Sequence, residues 1–258
     1  MSFFTRRGDA FQPSELTRGP WDPEAQHAGP PAALLARALE RAGDPDGKQI
    51  GRVTYEILKP VPLEELHVEA RVVRPGRSVE LLEASLTAPA GEVMRAAAWR
   101  LRTEAVDLDP APAIEPPEHG PGDGQPRDFF PTGAEAGYHT AMEYRFVTGA
   151  FLEPGPAIVW MRMLHPLVDG EQPSPLQRVA IAADSGNGVS AALDYRRFLF
   201  INTDLTVHLH RPPEGDWVCL DAVTRPEAHG VGMADTLLWD ERGRIGRAAQ
   251  TLLVRRRV

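Results

Sequence analysis

Asp184 is the side chain whose position in this sequence most strongly indicates chemistry. It lies in the stretch from Leu176 to Gly188, LQRVAIAADSGNG, which starts with the apolar spacing of a core helix and ends in glycine-rich backbone. Burying a carboxylate without a partner costs several kcal/mol, so such a group is paired, protonated or used. Asp184 is therefore a candidate functional carboxylate. The alternative is an exposed aspartate at a helix end.

Two other patterns have the residue types for chemistry but a less specific arrangement. His208 and His210 alternate on one predicted strand with Asp204, a spacing that can present metal ligands but that also describes any solvated strand face. Gly186 and Gly188 follow a helix rather than a strand, so they do not form a phosphate-binding loop. Neither pattern displaces Asp184 as the leading candidate.

Composition and charge exclude several classes of protein. The 258 residues are 42% hydrophobic and 25% charged, which is ordinary for a globular chain of one large or two small domains. The net charge of -8 argues against nucleic acid or an anionic membrane surface as a main partner, because both require a basic face. The sequence shows no transmembrane span or signal peptide, so we expect a cytoplasmic protein. The single cysteine, Cys219, excludes an internal disulfide and is interpreted as a buried structural thiol.

The first half predicts one core helix followed by antiparallel strands. The helix opens at His27, tolerates Pro30 and Pro31 in its first turn, and stops at Gly43. Alternating apolar residues between turn signals then predict strands at residues 52–59, 66–74, 79–88 and 93–103. These strands, joined by short turns, predict an antiparallel meander.

The second half repeats this order after a break in composition. Residues 106–137 contain seven prolines and five glycines and predict a linker that crosses the surface in extended form. Strands are then predicted at residues 139–148 and 157–163, before the helix that ends at Asp184. Four more strands follow it, at residues 199–210, 217–224, 230–239 and 245–255.

An internal repeat relates the two halves. Shifting the sequence by 152 residues aligns the two sets of strands without a gap from Pro60 with Pro212 to Leu101 with Leu253. Identities include the pairs Val79/Val231, Gly91/Gly243, Arg95/Arg247, Ala96/Ala248 and Ala97/Ala249. The coincidence of turns, strand lengths and preceding helix indicates a duplication.

Each copy has one long helix and an antiparallel sheet with an apolar face that the helix must cover. This combination predicts an α+β fold, a double hotdog of two modules, each with a long helix wrapped by a curved antiparallel β-sheet. The expected boundaries are an N-terminal module at residues 1–105, the linker at residues 106–137 and a C-terminal module at residues 138–258. Edge-to-edge pairing of the modules removes an exposed edge from each sheet.

Two short motifs resemble those of hotdog thioesterases. The motif at residues 27–29, His-Ala-Gly, is similar to the His-Gly-Gly that opens the core helix of small acyl-CoA thioesterases. The motif at residues 183–185, Ala-Asp-Ser, is similar to the one that carries their catalytic aspartate. Nearly the whole chain resembles the acyl-CoA thioesterase II type. The resemblance implies that each half keeps a different part of the pattern and that the parts form one composite site between modules.

The resemblance also implies roles for particular residues. Asp184 matches the aspartate of the thioesterase II type, which anchors or activates a water, and Gln250 matches its glutamine. Asn202 falls at the position of its threonine, with Thr203 adjacent but directed to the other face, so this chain departs from the family pattern there. An asparagine amide can still orient a water or a carbonyl oxygen.

The remaining residues of the implied site bind substrate. His27, Gly29 and Asp204 are the expected substrate-binding residues, and the Gly29 N–H region is the expected donor to the oxyanion. The chemistry requires no metal or cofactor.

Two functions follow from the resemblance. The first is a thioesterase that hydrolyses an acyl-CoA or related acyl thioester, and the second is an acyl- or CoA-binding double hotdog that has lost catalysis. Retention of Asp184 with Gln250 favours the enzyme, whereas Asn202 and the single glycine in His-Ala-Gly favour the binding protein. A hotdog hydratase, suggested by Asp184-x-x-Asn187, lacks a suitably spaced histidine. We expect a homo-oligomer, because hotdog modules carry large apolar surfaces.

Overall fold

The computed structural model describes residues 1–110 and 113–257. Pro112, one of the prolines of the predicted linker, lies outside the described residues, as does Val258 at the end of the predicted C-terminal module. The first half contains the hairpin β1 (Phe4–Arg7) and β2 (Ala10–Pro13), the helix α1 (Gly29–Arg41), and the strands β3 (Lys48–Ile57), β4 (Leu66–Arg74), β5 (Val79–Ala88) and β6 (Gly91–Arg102). The predicted helix and the four predicted strands are all observed, with small shifts at their ends.

The second half has the same order of elements with two additional short helices. It contains α2 (Tyr138–Ala141), β7 (Met142–Ala150), β8 (Glu153–Met163), α3 (Pro175–Ala183), α4 (Gly186–Val189), β9 (Phe198–Asn202), β10 (Asp204–Leu209), β11 (Val218–Pro226), β12 (Val231–Asp240) and β13 (Gly243–Arg256). The single predicted strand at residues 199–210 is split, because Thr203 interrupts it. β9 and β10 therefore pair with different parts of β13.

The strands of the described residues form one antiparallel sheet. The order is β1-β2-β4-β5-β6-β3-β10-β13-β12-β11-β8-β7, and β9 pairs with β13 beside this path. The predicted meander is wrong in one respect, since β3 pairs with β6 and not with β4. The chain enters β3 from α1, which crosses the sheet, so β3 lies at the far edge of its own half. Its other edge then pairs with β10 and joins the two halves.

The 152-residue offset reappears in the observed strands. Shifting β4 by 152 gives β11, and shifting β5 gives β12, residue for residue. The pairing of β5 with β6 has an irregularity at Leu86/Thr87, and the pairing of β12 with β13 has one at Leu238/Trp239, which is the same offset. The two halves therefore share the bounds of two pairs of strands and the position of one irregularity in the strand pairing.

Helices α1 and α3 pack against each other in opposite directions and cover one face of the sheet. The start of α1 approaches the end of α3, because a Cβ built on Gly29 would lie 2.5 Å from the carbonyl oxygen of Ile181. At the other ends, the Ser174 hydroxyl donates to the carboxylate of Glu40 over 2.7 Å. Gly43, just beyond α1, has a φ of 62° that an L side chain rarely adopts, which explains why the helix stops there.

The segment between the halves lies over the second half. Residues 103–110 and 113–137 contain neither helix nor strand. The Trp160 indole N–H donates to the carbonyl oxygen of His119, and the backbone of Gln125 pairs with that of Phe146. Within the described residues, no helix combines the length and apolar character needed to cross a membrane.

Candidate active site

Asp184 ends helix α3 and is buried, with 4% of its surface exposed. The helix starts at the Ser174 cap, whose hydroxyl accepts from the N–H of Gln177, and continues with Pro175, which is suited to the first turn. Its apolar residues pack into the core and carry the aspartate inward. The alternative of an exposed aspartate at a helix end is therefore wrong, and the carboxylate needs partners.

Each oxygen of the Asp184 carboxylate has one partner. The Asn202 amide Nδ2 donates to Oδ1 over 2.8 Å, and the His27 ring nitrogen Nδ1 lies 3.0 Å from Oδ2. Asn202 reaches the site from β9 and His27 from the segment just before α1. The structure thus places beside Asp184 two of the residues that the sequence singled out, one from each half of the chain.

The proton on His27 follows from the competition for its Nδ1. This nitrogen also accepts a hydrogen bond from the backbone N–H of Gly29 over 3.1 Å when it carries no proton, because one ring nitrogen can either donate one hydrogen bond or accept one. An ionised Asp184 can only accept, so the tautomer with a proton on Nδ1 satisfies the buried carboxylate. The Gly29 N–H is then released from His27.

The released N–H of Gly29 is unusual for a helix start. A helix normally begins with several free N–H groups, but Pro30 and Pro31 have none and the N–H of Ala32 bonds to the carbonyl oxygen of Ala28. With the proton on His27 Nδ1, Gly29 is therefore, in this part of the described chain, the donor of the first turn that remains for a ligand. Its lack of a side chain also allows α1 to approach the end of α3.

Tyr138 supports His27 and was not identified from the sequence. The two rings stack with centroids 3.7 Å apart and an angle of 10° between their planes. The Tyr138 hydroxyl donates to the carbonyl oxygen of Ile181 over 2.7 Å and lies 2.9 Å from the Ser185 hydroxyl. Burial raises the pKa of Tyr138 far above its ordinary value, so the phenol stays neutral. No local sequence signal distinguishes this tyrosine from an ordinary core residue.

Gln250 contacts the backbone of Asp184 rather than its carboxylate. Its Nε2 donates to the Asp184 carbonyl oxygen over 3.1 Å, and its Oε1 accepts from the N–H of Asn187 over 3.0 Å. Gly186 lies between these contacts, and a Cβ there would come within 3.0 Å of the Gln250 Oε1. Gln250 therefore holds the turn after α3 against β13 and fixes the backbone that carries the aspartate.

Thr203 and Asp204 form a separate, more exposed group. The Thr203 hydroxyl lies 3.4 Å from both the Thr251 carbonyl oxygen and the Asp204 carboxylate. That carboxylate accepts from the N–H of Thr251 over 2.9 Å. These contacts secure the break between β9 and β10 and do not bring either side chain to Asp184.

The other chemical candidates from the sequence lie away from this site. His208 and His210 are exposed, and the described residues contain no group of three or more side chains suited to hold a metal ion. Cys219 is buried, and burial raises the pKa of its thiol well above the ordinary value, so it has little thiolate character.

The geometry is suited to activating a water molecule. Hydrogen bonds from Asn202 and His27 occupy one lone pair on each oxygen of Asp184, and the remaining lone pairs can accept from a water. The backbone N of Gly29 lies 3.1 Å from the same His27 ring nitrogen, and in the tautomer with a proton on Nδ1 its N–H can donate to an oxygen that gains negative charge. A base beside an oxyanion donor is the arrangement needed to hydrolyse an activated carbonyl.

Comparisons with known proteins match both halves of the chain to one family. Residues 17–101 match the profile of the acyl-CoA thioesterase N-terminal domain, and residues 111–254 match that of the acyl-CoA thioesterase C-terminal domain. No curated protein matches the sequence.

Solved structures with similar folds cover almost the whole chain. A hot dog fold protein of unknown function from Alicyclobacillus acidocaldarius has a TM-score of 0.75 at 17% identity, covering 99% of this chain and 96% of the other. The tesB protein of Mycobacterium avium subspecies paratuberculosis has a TM-score of 0.70 at 14% identity, covering 98% and 95%. The acyl-CoA thioesterase II TesB2 of Mycobacterium marinum has a TM-score of 0.65 at 15% identity, covering 97% and 93%. At these identities the likeness shows a shared hotdog fold.

Proposed function

The chain belongs to the acyl-CoA thioesterase family, and from this premise we propose that it hydrolyses an acyl-CoA or related acyl thioester with a water activated by Asp184. The observation that carries this proposal is the convergence of Asp184, Asn202 and His27 from three separate segments of the chain. Residues 18 and 157 positions from Asp184 have no local reason to meet at its carboxylate.

The proposed reaction has two steps. Asp184 accepts a proton from the water as its oxygen attacks the thioester carbonyl, and the Gly29 N–H donates to the oxyanion that forms. The tetrahedral intermediate then collapses, the carbon–sulfur bond breaks, and the proton held by Asp184 passes to the departing thiolate. Asn202 and His27 hold the carboxylate in position, and Gln250 holds the backbone below it. In this proposal Thr203 and Asp204 support the strand break beside the site.

The chain in this proposal consists of two hotdog modules and has one catalytic site. The modules are residues 1–105 and 138–258, joined by the linker at residues 106–137. The positions 152 residues before Gln250 and Asn202 are Ala98 and Ile50, which have no polar side-chain atom. The counterpart of the candidate site in the first module therefore lacks the groups that hold a water, so we expect a single catalytic centre.

A binding protein without catalysis is the second candidate. The side chains of Asp184 and Gln250 are 4% and 2% exposed, so substrate access requires movement of the surrounding chain. A protein that only binds an acyl group or CoA does not require the thioester to reach Asp184. Such a protein would show no turnover.

A panel of acyl-CoA thioesters with detection of the free thiol separates the two candidates. We expect turnover above the rate of the buffer alone with at least one of the short, medium and long chains. Absence of turnover with all three, together with measurable binding of CoA or of an acyl-CoA, would replace the enzyme by the binding protein.

We further propose that the protein forms a homo-oligomer. Exposed apolar side chains occur at equivalent positions in the two halves, such as Val79 and Val231, and Met233 and Leu101 are also exposed. Such surfaces are commonly covered in hotdog assemblies by other copies of the chain. Light scattering that shows a monomer at high concentration would contradict this proposal.

A further inference from the structure

Four arginines lie close together at one end of the strand pair β9 and β13. This concentration of positive charge contrasts with the net charge of -8 of the whole chain. Arg255 and Arg256 end β13, Arg257 follows it, and Arg197 precedes β9. The antiparallel register pairs Phe198 with Arg256, which places the two ends side by side. We call these four residues the arginine cluster.

The side chains of the arginine cluster are exposed, and their positive charge is not balanced by nearby carboxylates of the described residues. Among the described residues, no carboxylate oxygen lies within 4.0 Å of any of its four guanidinium groups. Arginines elsewhere in the chain are commonly paired, as Arg211 is with Asp240. A concentration of unpaired arginines raises the free energy of the folded chain by repulsion, and a bound anion would relieve that repulsion.

Aromatic rings lie beneath the cluster. The Cζ atoms of Arg197 and Arg256 are each 5.8 Å from the centroid of the Phe198 ring, and that of Arg257 is 5.5 Å from the Trp21 ring. These distances are within the range of cation–π contacts, which orient the guanidinium planes. Aromatic faces beside arginines are also the surfaces on which nucleotide bases stack while their phosphates are bound.

A groove runs beside Phe198. It has a volume of about 300 Å³ and is lined in part by Phe198, Val254, Arg255 and Arg256. This volume is at the lower end of the range for small-molecule sites. Glu227 also lines the groove, but two arginines exceed its single charge, so an anion is favoured over a cation.

Arg256 of the arginine cluster shares one face of these strands with the candidate active site, whereas Arg255 alternates to the other face. Asn202 pairs with Leu252 and Phe198 with Arg256 in an unbroken register, so Phe198 and Asn202 are four residues apart. Because alternate residues share a face, Phe198 is on the face of Asn202, and Arg256 is on the face of Gln250. Four residues correspond to roughly 13 Å along the strand.

Aromatic rings lie between the two ends of this face, and the Phe200 ring among them is buried. Phe200 lies between Phe198 and Asn202 on the same face, and its ring contacts Trp21 edge to face at 5.1 Å. Once the chain over these buried residues moves aside, a ligand that runs from Asp184 toward the arginine cluster would cross apolar rings before it meets positive charge. An acyl-CoA has this order of groups, with a thioester, a flexible pantetheine arm and a phosphorylated nucleotide.

We propose that the arginine cluster binds the phosphates of an acyl-CoA, with the adenine against Phe198, while the thioester lies at Asp184. This inference rests on the proposed function for the position of the thioester, but not for binding of the nucleotide. The surface then selects thioesters of CoA over thioesters that lack the nucleotide.

The test compares two substrates that carry the same acyl group, one on CoA and one on N-acetylcysteamine, which has no phosphates. In the double variant Arg197→Gln/Arg256→Gln, we expect kcat/KM for the CoA thioester to fall by about tenfold for each arginine, the usual scale for a hydrogen bond to a charged group. The loss should lie mainly in KM. Hydrolysis of the N-acetylcysteamine thioester should stay unchanged.

Two variants serve as controls. Arg244→Gln removes the same charge from an exposed position at the other end of β13 and should leave both substrates unaffected. Arg256→Lys keeps the charge and should restore part of the activity with the CoA thioester. Raising the salt concentration should lower the activity of the wild type with the CoA thioester more than that of the double variant, because exposed charges are screened.

Direct titration with CoA separates this inference from the proposed function. If the wild type hydrolyses neither substrate, weaker CoA binding by the double variant than by the wild type still supports the inference, and equal binding overturns it. An equal loss with both substrates would assign the arginines a structural role and overturn it. A loss confined to an acyl thioester of an acidic carrier protein, with the CoA thioester unaffected, would also overturn it.

Discussion

Thr206 donates a hydrogen bond to Thr54 across the central strand pair, with 3.2 Å between the two hydroxyl oxygens. The two residues face each other directly in the register of β10 and β3 and are 152 residues apart, which is the offset of the internal repeat. Two equivalent residues that meet each other mark an approximate twofold axis between the halves. The candidate site is therefore an asymmetric feature of a nearly symmetric scaffold. Variants in the site can be compared with control variants elsewhere in the same chain.

Asp184→Asn tests the proposed base. The change keeps the size of the side chain and removes its charge, so we expect hydrolysis of the best acyl-CoA to fall by roughly 10²-fold or more, the usual scale for loss of a general base. Steady-state release of free thiol measures the effect. Asp9→Asn is the matched control, because Asp9 is exposed. Wild-type turnover by the Asp184 variant would show that the carboxylate is not the base.

Gln250→Ala tests the support beneath the base. Removing the side chain leaves the buried Asp184 carbonyl oxygen and the Asn187 N–H without their partner, so we expect unfolding to become easier by about 1–3 kcal/mol. Activity should fall less than in Asp184→Asn, since the carboxylate remains. Urea unfolding and thiol release measure the two effects. Thr251→Ala, an exposed change on the same strand, is the control. Unchanged stability in the Gln250 variant would refute the role of Gln250 in holding the Asp184 backbone.

Gly29→Ala tests the close approach of the two helices. The added Cβ would lie 2.5 Å from the Ile181 carbonyl oxygen and 3.1 Å from the His27 Nδ1, so α1 must move away from α3. We expect a loss of about 1–3 kcal/mol in stability, as in other overpacked sites, and a loss of activity because the proposed oxyanion donor moves. Gly122→Ala places its Cβ where no atom lies within 4 Å and should change neither property. A fully stable and active Gly29 variant would contradict the predicted clash.

The carboxylate of Asp240 predicts a pH dependence of stability. Burial alone would raise its pKa, but hydrogen bonds from Arg211 and from the N–H groups of Glu214, Arg242 and Gly243 outweigh this and hold the pKa below its ordinary value of 3.8. A lower pKa in the folded state means that protons bind preferentially to the unfolded chain. The stabilisation is therefore complete above pH 3.8 and is lost as the pH falls through the lower folded value.

Asp240→Asn should remove this contribution. We expect a loss of about 3 kcal/mol at neutral pH, the lower end for breaking a buried ion pair, because the Arg211 side chain keeps 20% exposure. The difference from the wild type should narrow below pH 3.8 in urea unfolding. Asp235→Asn breaks a more exposed pair with Arg247 and should cost less than about 1 kcal/mol. A difference for Asp240→Asn that stays constant down to pH 2 would refute the ionic origin.

The sequence by itself predicted the features that depend on neighbouring residues. Turn residues and alternating apolar positions located β4 and β5 at their observed bounds, because both signals arise within a few residues. Gly43 indicated the end of α1 because only glycine readily adopts its backbone conformation. The helix that ends at Asp184 and the 152-residue offset were visible for the same reason, since both are patterns along the chain.

The tertiary structure decided which distant residues meet. β3 pairs with β6 and β10 because α1 carries the chain across the sheet, and no local pattern records the partner of a strand. The contact of Gln250 with the Asp184 backbone and the pairing of Phe198 with Arg256 depend on the register of β13 against its neighbours, and the stacking of Tyr138 on His27 depends on how the helices pack. Such contacts are determined by the packing of the whole sheet, because a strand's side-chain alternation specifies which face it presents but not what covers that face.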